Sequence, residues 1–151
     1  MKKLLLFASF FLLFTTVFSQ SLELIDGHYY KNDMLYSGTY TEYWPDKHVK
    51  MVQHIKNGML DGTTELYSDS GKLLEQRSYL EGMKHGLWLI FNESGVKISE
   101  AGYRHDKKNG IWHIWNDDGN LLYEMYYSNG EKVGKWMVWD ETGKVVMERQ
   151  Y

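Results

Sequence analysis

The stretch GIWHIWNDDGNLLYEMYYSNGEKVG, from Gly110 to Gly134, contains one complete unit of a repeat and the opening glycine of the next. Two tryptophans follow the first glycine, and an acidic turn separates this β-rich run from a run of tyrosines. The opening glycine recurs every 24 residues without insertion, at Gly38, Gly62, Gly86, Gly110 and Gly134. A period of this length indicates stacked units that bury enough surface only together.

Three further positions keep the phase of this repeat. Five residues after the opening glycine every copy has an aromatic residue: Tyr43, Tyr67, Phe91, Trp115 and Trp139. Nine residues after it four copies have glycine, at Gly71, Gly95, Gly119 and Gly143, whereas the first copy has Lys47. Two residues after it the last three copies have Trp88, Trp112 and Trp136. The quoted stretch is therefore copy four of five.

Each copy has the pattern of a β-hairpin. Two runs rich in β-formers flank turns such as NDDG, SDSG, NESG and DETG, in which glycine is free to take positive φ. The first copy has Pro45-Asp46 there, which is typical of a type I turn. The longer runs NGMLDG, EGMKHG, HDKKNG and NGEKVG are predicted as linkers to the next strand. The sequence thus predicts an all-β, elongated, up-and-down antiparallel meander of about ten or eleven strands.

The N-terminal segments precede this repeat domain, which is predicted at residues 38–151. Residues 1–19 have two lysines, an apolar run and a small residue at the end, as in a secretory signal peptide cleaved between Ser19 and Gln20. An uncleaved membrane anchor is the alternative. Residues 20–37 are predicted as a degenerate half-repeat that caps the first edge, since HYYKNDMLYSG resembles HIKNGMLDG. The protein is therefore expected to be exported, to the periplasm, the outer membrane or the exterior.

Charge and composition exclude several classes of function. Without residues 1–19 the chain has 15 Lys and Arg against 20 Asp and Glu, a net charge of −5. Such a chain gains little from counterion release on nucleic acid, and anionic membranes should repel it slightly. It contains no cysteine, so packing alone must hold the domain. We expect no nucleic-acid partner and no binding to anionic membranes.

The direction of the aromatic side chains is ambiguous in the sequence. The second and fourth residues after the opening glycine share one strand face, and the fifth lies on the other, yet the fifth is always aromatic. Either a bulge shifts the phase, or both faces carry aromatic residues. In the second case, which we favour, cross-strand aromatic ladders stabilise a single-layer twisted sheet.

The runs GLWLIFNESG, GIWHIWNDDG and GKWMVWDETG resemble MORN repeats, in the variant form found in bacterial proteins, over about residues 27–151. The resemblance implies a β-hairpin array used for protein contacts and not for catalysis, and some relatives are labelled antitoxins. Eukaryotic MORN units have a second glycine two residues after the first, where this chain has Tyr, Thr or Trp. That departure weakens any transfer of phosphoinositide binding.

Candidate site residues are few. Trp88, Trp112 and Trp136 could form an exposed row about 10 Å apart that binds a partner protein or stacks on sugar rings, or they could be the fold's own packing ladder. The acidic turns are explained by turn chemistry, and the six histidines lack metal-ligand spacing. Glu100, Glu124 and Glu148 occupy the same position in three successive copies. Such a regular row of carboxylates is more typical of solvated or ion-paired surface residues than of an acid/base pair. We expect no catalytic, cofactor or metal site.

The sequence thus predicts an exported, non-enzymatic repeat protein that acts as a protein-interaction scaffold. A glycan or cell-wall binding module using the aromatic row is one alternative, and an antitoxin-like partner of an exported toxin is another. The sequence does not indicate which protein or polysaccharide binds.

Overall fold

A computed structural model describes residues 22–151 of the chain. The predicted signal peptide and its cleavage site between Ser19 and Gln20 lie outside these residues. The described part is all-β, with a three-stranded sheet followed by an open ten-stranded antiparallel sheet in which every strand pairs with its neighbours in sequence. The prediction of an up-and-down meander is confirmed.

The small sheet contains β1 (Glu23–Ile25), β2 (His28–Lys31) and β3 (Met34–Leu35). The large sheet contains β4 (Gly38–Tyr43), β5 (Val49–Lys56), β6 (Met59–Tyr67), β7 (Leu73–Leu80), β8 (Met83–Phe91), β9 (Lys97–Arg104), β10 (Lys107–Trp115), β11 (Leu121–Ser128), β12 (Glu131–Trp139) and β13 (Val145–Gln150). Each 24-residue copy therefore supplies one outgoing and one returning strand of the large sheet.

The turn within each copy, here called the hairpin turn, follows the predicted chemistry. In the fourth copy the amide of Gly119 donates to the carbonyl of Asn116, and the side chain of Asn116 accepts from the amides of Asp118 and Asn120. Gly119 has φ +83°, the left-handed conformation that glycine adopts without steric cost. Asn92 and Asp140 make the same side-chain bonds in their copies. In the first copy Lys47 takes that conformation, with φ +72°.

The connection between copies, here called the junction turn, is shorter than predicted. It consists of two residues at positive φ, for example Asn57 at +50° and Gly58 at +77°. Two such residues form the type I′ turn of a tight hairpin. The prediction of longer linkers is therefore wrong, because only the first two residues of runs such as NGMLDG turn the chain. The remaining four belong to the next strand.

In four of the five copies the opening glycine lies inside a strand, whereas Gly38 is the first residue of β4. In β10, Lys108 pairs with Tyr103 and Trp112 pairs with Ala101, so three residues around Gly110 stand opposite Gly102 alone. Gly110 has φ +86°, which this wide bulge requires. A Cβ atom on Gly102 would lie 2.1 Å from the carbonyl oxygen of Asn109. The backbone of the bulge thus occupies the space that a side chain at residue 102 would need.

The small sheet is attached to the first junction turn. The amide of Tyr29 donates to the carbonyl of Gly58 at 2.7 Å, and the amide of Gly58 donates to the carbonyl of Tyr36 at 2.8 Å. The turn Asn32-Asp33 between β2 and β3 has two residues at positive φ, as the junction turns do. The β2–β3 hairpin therefore has the same kind of turn as the junction turns, and it is hydrogen-bonded to the first of them.

The sheet is a single layer with little buried interior. Among the described residues the buried apolar side chains are Ile55, Ala101 and Trp136, and no large side chain is fully buried. A second register shift lies where the fifth residue follows the fourth, for example between Ile114 and Trp115. Trp115 nevertheless contacts His113, two residues before it, so the two share a face. The extra residue of this bulge lies in the returning strand and does not shift the phase of Trp115, so the aromatic residues lie on both faces of the sheet, the favoured one of the two alternatives.

Candidate functional site

The two faces of the large sheet carry different chemistry. One face, here called the ladder face, carries Trp88, Trp112 and Trp136, whose partners across the strands include Ala101 and Arg149. The other, here called the acidic face, carries Glu100, Glu124 and Glu148, which pair with Leu89, His113 and Met137. Because side chains alternate along a strand, each residue of a strand can be assigned to one face from these pairs.

A continuous ladder of aromatic rings crosses the ladder face from β7 to the end of the chain. Each tryptophan lies between two tyrosines, with ring centroids 4.7–5.6 Å apart and planes inclined by 49–60°. Tilted contacts of this kind are the favoured geometry of aromatic pairs. The order of the rings is Tyr79, Trp88, Tyr103, Trp112, Tyr127, Trp136 and Tyr151.

The tryptophans are also held by hydrogen bonds. Their Nε1 groups donate to backbone carbonyls of the preceding returning strand, at 3.0–3.1 Å. The acceptors are Ser78 for Trp88, Gly102 for Trp112 and Tyr126 for Trp136. Trp136 is only 7% exposed and the other two are half-buried. Each indole is therefore fixed in orientation by the fold itself.

Three lysines, each two residues before an opening glycine, lie over the rings of the ladder. The Nζ atoms lie 4.6 Å from the Trp88 ring centroid for Lys84, 4.2 Å from Trp112 for Lys108 and 4.5 Å from Trp136 for Lys132. Each Nζ also lies 4.8–5.2 Å from the centroid of the next tyrosine. Lysine over an aromatic face is a favourable cation–π contact. A sugar ring would have to displace these lysines and tyrosines before it could stack on the predicted tryptophan row.

An exposed apolar strip runs beside the ladder on the same face. It follows cross-strand pairs from Ile90 through Ser99, Ile114, Tyr123 and Val138 to Met147. Ile90, Ile114, Tyr123 and Met147 are each 37–43% exposed. We call these six residues the apolar ribbon. The sequence did not indicate this strip as a site, because the repeat pattern shows which residues share a face but not which of them stay exposed.

The acidic face is largely neutralised by its own residues. Lys97 contacts Glu100 and Lys135 contacts Glu148, with N–O distances of 2.5 and 2.6 Å. Glu124 Oε2 lies 3.1 Å from His113 Nε2, and the Tyr126 hydroxyl donates to its other oxygen. The hydrogen bond with His113, with that from Tyr126, holds the pKa of Glu124 below its ordinary value of 4.5. Glu100 and Glu148 are therefore ion-paired, and Glu124 is hydrogen-bonded to His113 and Tyr126.

A family model described as "MORN repeat variant" matches residues 60–81, 108–129 and 132–151. Three of the five copies therefore match the MORN repeat variant. Each matched segment begins two residues before an opening glycine, at Leu60, Lys108 and Lys132. The copies that open at Gly38 and Gly86 fall outside the matches, yet they form the same hairpins in the same order. No curated protein matched the chain.

MORN repeats are generally non-enzymatic and indicate a binding module built from repeated units. Two grooves on the acidic face lie between neighbouring hairpin turns. One groove of about 490 Å³ on the acidic face separates the last two hairpin turns and is lined by Leu121, Trp139 and Thr142. A smaller one between the first two turns is lined by Val49, Val52 and Tyr67. In the middle copies Lys97 lies over Trp115, at 4.6 Å from its centroid.

The histidines do not form a metal cluster in the described part of the chain. No group of three or more His, Asp or Glu residues there could hold a metal ion. The fold does bring His85 and His105 together, with ring centroids 4.9 Å apart, although their phases in the repeat differ. The Nδ1 atom of His85 is buried without a hydrogen-bond partner in residues 22–151. Those residues also contain no helix able to span a membrane.

Proposed function

We propose that this protein is an exported interaction scaffold whose ladder face binds a partner protein through the apolar ribbon. The observation that carries the proposal is a row of side chains in register across six strands, apolar in five of them, with Ile90, Ile114, Tyr123 and Met147 exposed and Ser99 as the polar member. At about 4.8 Å per strand the ribbon extends over roughly 24 Å. An exposed apolar strip rimmed by polar residues is typical of a protein-interaction surface.

The tryptophans have a supporting part in this proposal. Their rings are covered by tyrosines and lysines, so they hold the strands in register beneath the ribbon. A pre-ordered surface loses little side-chain entropy on binding, which favours affinity. The glycan alternative needs exposed indole faces, and this arrangement supports it less well.

The chain offers a matched pair of variants for the test. Ile90 and Ile114 lie on the ladder face, whereas Leu87 and Ile111 lie on the acidic face of the same two strands. Ile114 and Ile111 have similar exposure, at 37% and 42%. The full coding sequence with a C-terminal tag would be expressed in cells, and proteins that co-purify from envelope extract identified by mass spectrometry.

We expect Ile90→Glu with Ile114→Glu to abolish recovery of a specific partner, because burying two carboxylates in an apolar contact is costly. Leu87→Glu with Ile111→Glu should leave recovery unchanged, and both variants should keep the circular dichroism of the parent. Equal recovery with both variants would exclude the ribbon as the site. Recovery of polysaccharide without protein would favour the glycan alternative.

Export is proposed from the sequence of residues 1–19. Cell fractionation followed by N-terminal sequencing should find the protein in the envelope or medium with Gln20 as its first residue. A chain that keeps Met1 in the membrane fraction would establish the anchor alternative. Recovery in the cytosol would contradict export altogether.

A further inference from the structure

Resting on the proposed interaction surface, we propose that its partner is an amphipathic α-helix with a row of acidic residues, lying across the strands of the ladder face. The inference starts from a charge asymmetry between the two faces. On the acidic face, Glu100, Glu124 and Glu148 each have a cation or a histidine beside them. On the ladder face the cations outnumber the acids.

The lysines of the ladder face lack acidic partners in the structure. Among residues 22–151 no carboxylate lies within salt-bridge distance of Lys84, Lys108 or Lys132. Their Nζ atoms contact aromatic rings, and rings do not neutralise charge. The contacts do fix the positions of the three ammonium groups, so their hydrogen-bonding capacity toward an anion remains and little entropy is lost on pairing. The three lysines therefore form a pre-ordered cationic row.

The spacing of this row selects a helix. Successive lysines belong to alternate strands, β8, β10 and β12, so they are about 9.6 Å apart. Seven residues of an α-helix rise about 10.5 Å, so acids at every seventh position follow the row closely. An extended peptide covers the same distance in about three residues, which would point successive acids to opposite sides.

The apolar ribbon fits the other side of the same helix. Along β11 the row and the ribbon are separated by four residues, from Tyr127, which pairs with Lys132, to Tyr123. Four residues of a strand span about 13 Å, and a helix with its side chains is about 10–12 Å wide. One helix can therefore place an acidic stripe on the lysines and an apolar stripe on Ile114 and Val138. A polysaccharide has no apolar side chains to match the ribbon.

The net charge of the chain does not oppose this arrangement. Charges on the acidic face and in the hairpin turns are screened beyond about 8 Å at physiological ionic strength. Two acids of the ladder face are occupied, since Glu75 contacts Arg77 and Glu42 contacts Lys50. Beside the lysine row, Asp106 Oδ1 accepts from the backbone amide of Lys84.

The test uses the full chain and a synthetic 21-residue helical peptide, with Glu at every seventh position and Leu one and five residues after each Glu, so that the apolar stripe lies about 100–140° around the helix from the acidic row. Binding would be measured by fluorescence anisotropy at several salt concentrations. The variant is Lys84→Gln, Lys108→Gln and Lys132→Gln together. The control removes the same charge elsewhere, by Lys97→Gln, Lys135→Gln and Lys144→Gln.

We expect the ladder-face variant to bind the peptide roughly tenfold more weakly and to lose most of its salt dependence. The control should stay within about twofold of the parent. Replacing the same three lysines with Arg should restore binding, which guards against a loss caused by altered packing. A peptide with Glu at every fifth position should bind more weakly than the first.

Three results would overturn the inference. The first two are equal binding of the peptide by both glutamine variants and equal binding of both peptides by the parent. The third is that the protein binds a polyuronate and does not bind the peptide. Each can be told apart from failure of the proposed function. If Ile90→Glu with Ile114→Glu abolishes recovery of the natural partner while the lysine variant does not, the ribbon remains the site and the acidic helix is excluded.

Discussion

At the scale of single residues, the hairpin turns of the five copies differ at one position that matters for stability. Four copies have glycine in the left-handed conformation, and the first has Lys47 at φ +72°. A side chain in that conformation costs about 1–2 kcal/mol. The first copy therefore contains a local strain that the others avoid.

We expect Lys47→Gly to raise the free energy of unfolding by about 1 kcal/mol and Gly95→Ala to lower it by a similar amount. A Cβ on Gly95 would meet no atom within 4 Å, so the effect there comes from φ alone. Urea denaturation followed by tryptophan fluorescence measures both. Shifts of the same sign for the two variants would contradict the explanation.

A second residue-scale prediction concerns acid stability. The pKa of Glu124 is lowered in the folded protein, chiefly by its hydrogen bond with His113, so the ionised carboxylate stabilises the fold. This contribution is present above the ordinary pKa of about 4.5 and is lost as the pH falls below it. Glu124→Gln should therefore lose less stability than the parent between neutral pH and pH 3 in thermal melts. An identical loss in the two proteins would show that Glu124 contributes nothing to acid unfolding.

At the scale of elements, the ladder and the ribbon lie on one face, but the ladder stabilises the fold and the ribbon forms the exposed surface. Trp112 contacts Tyr103, Tyr127 and Lys108 and donates a hydrogen bond to Gly102. Ile114, two residues later, is more exposed and makes the surface. Loss of the first should harm folding, and loss of the second should harm only binding.

We expect Trp112→Ala to destabilise the protein by about 2–3 kcal/mol, somewhat less than for a fully buried tryptophan. Ile114→Ala should cost less than about 1 kcal/mol, because the side chain is already in contact with water. Thermal and urea melts of the two variants give the comparison. Equal stability of Trp112→Ala and the parent would return the tryptophans to the role of an exposed binding row.

Much of this architecture could be predicted from the phase of the repeat, and specific physical reasons explain what could not. A regular glycine such as Gly62 indicates a special backbone conformation, but it does not tell whether a strand starts there or bulges there. The aromatic residue at Trp115 raised the question of a bulge, and alternation alone could not answer it. Alternation places Lys108 and Trp112 on one face but four residues apart along the strand. The bulge at Gly110 sets these four residues against only two of β9, from Ala101 to Tyr103, and Lys108 lies over the Trp112 ring.

The ribbon was hidden for a different reason. Ile90 and Ile114 are apolar in the sequence, as the tryptophans of the ladder are. Which of the two rows stays exposed could not be known before the lysines and tyrosines that cover the tryptophans were placed. Two separate faces with opposite electrostatic character emerge only when the strands are paired. The 24-residue period therefore predicts the strands and their order, but it does not predict which side chains form the exposed surface.

At the scale of the whole molecule, extensive contacts within the large sheet join only strands that are consecutive in sequence. Stability of such an array is close to a sum of copies and interfaces between neighbours. We expect hydrogen exchange monitored by mass spectrometry to show the strongest protection in β7 to β10 and declining protection toward β13, which pairs on one side in the described chain. Uniform protection would instead indicate one cooperative unit.

The same succession of neighbours has a mechanical consequence. If the two ends of the array are pulled apart, the load falls on one strand pair at a time, because the strands peel away in order along the sheet. Resistance should then be low and nearly constant, in contrast to sheets whose strands are sheared all together. Each copy released lengthens the chain by up to about 80 Å, so the protein would act as an extensible tether between whatever it holds at one end and whatever it holds at the other.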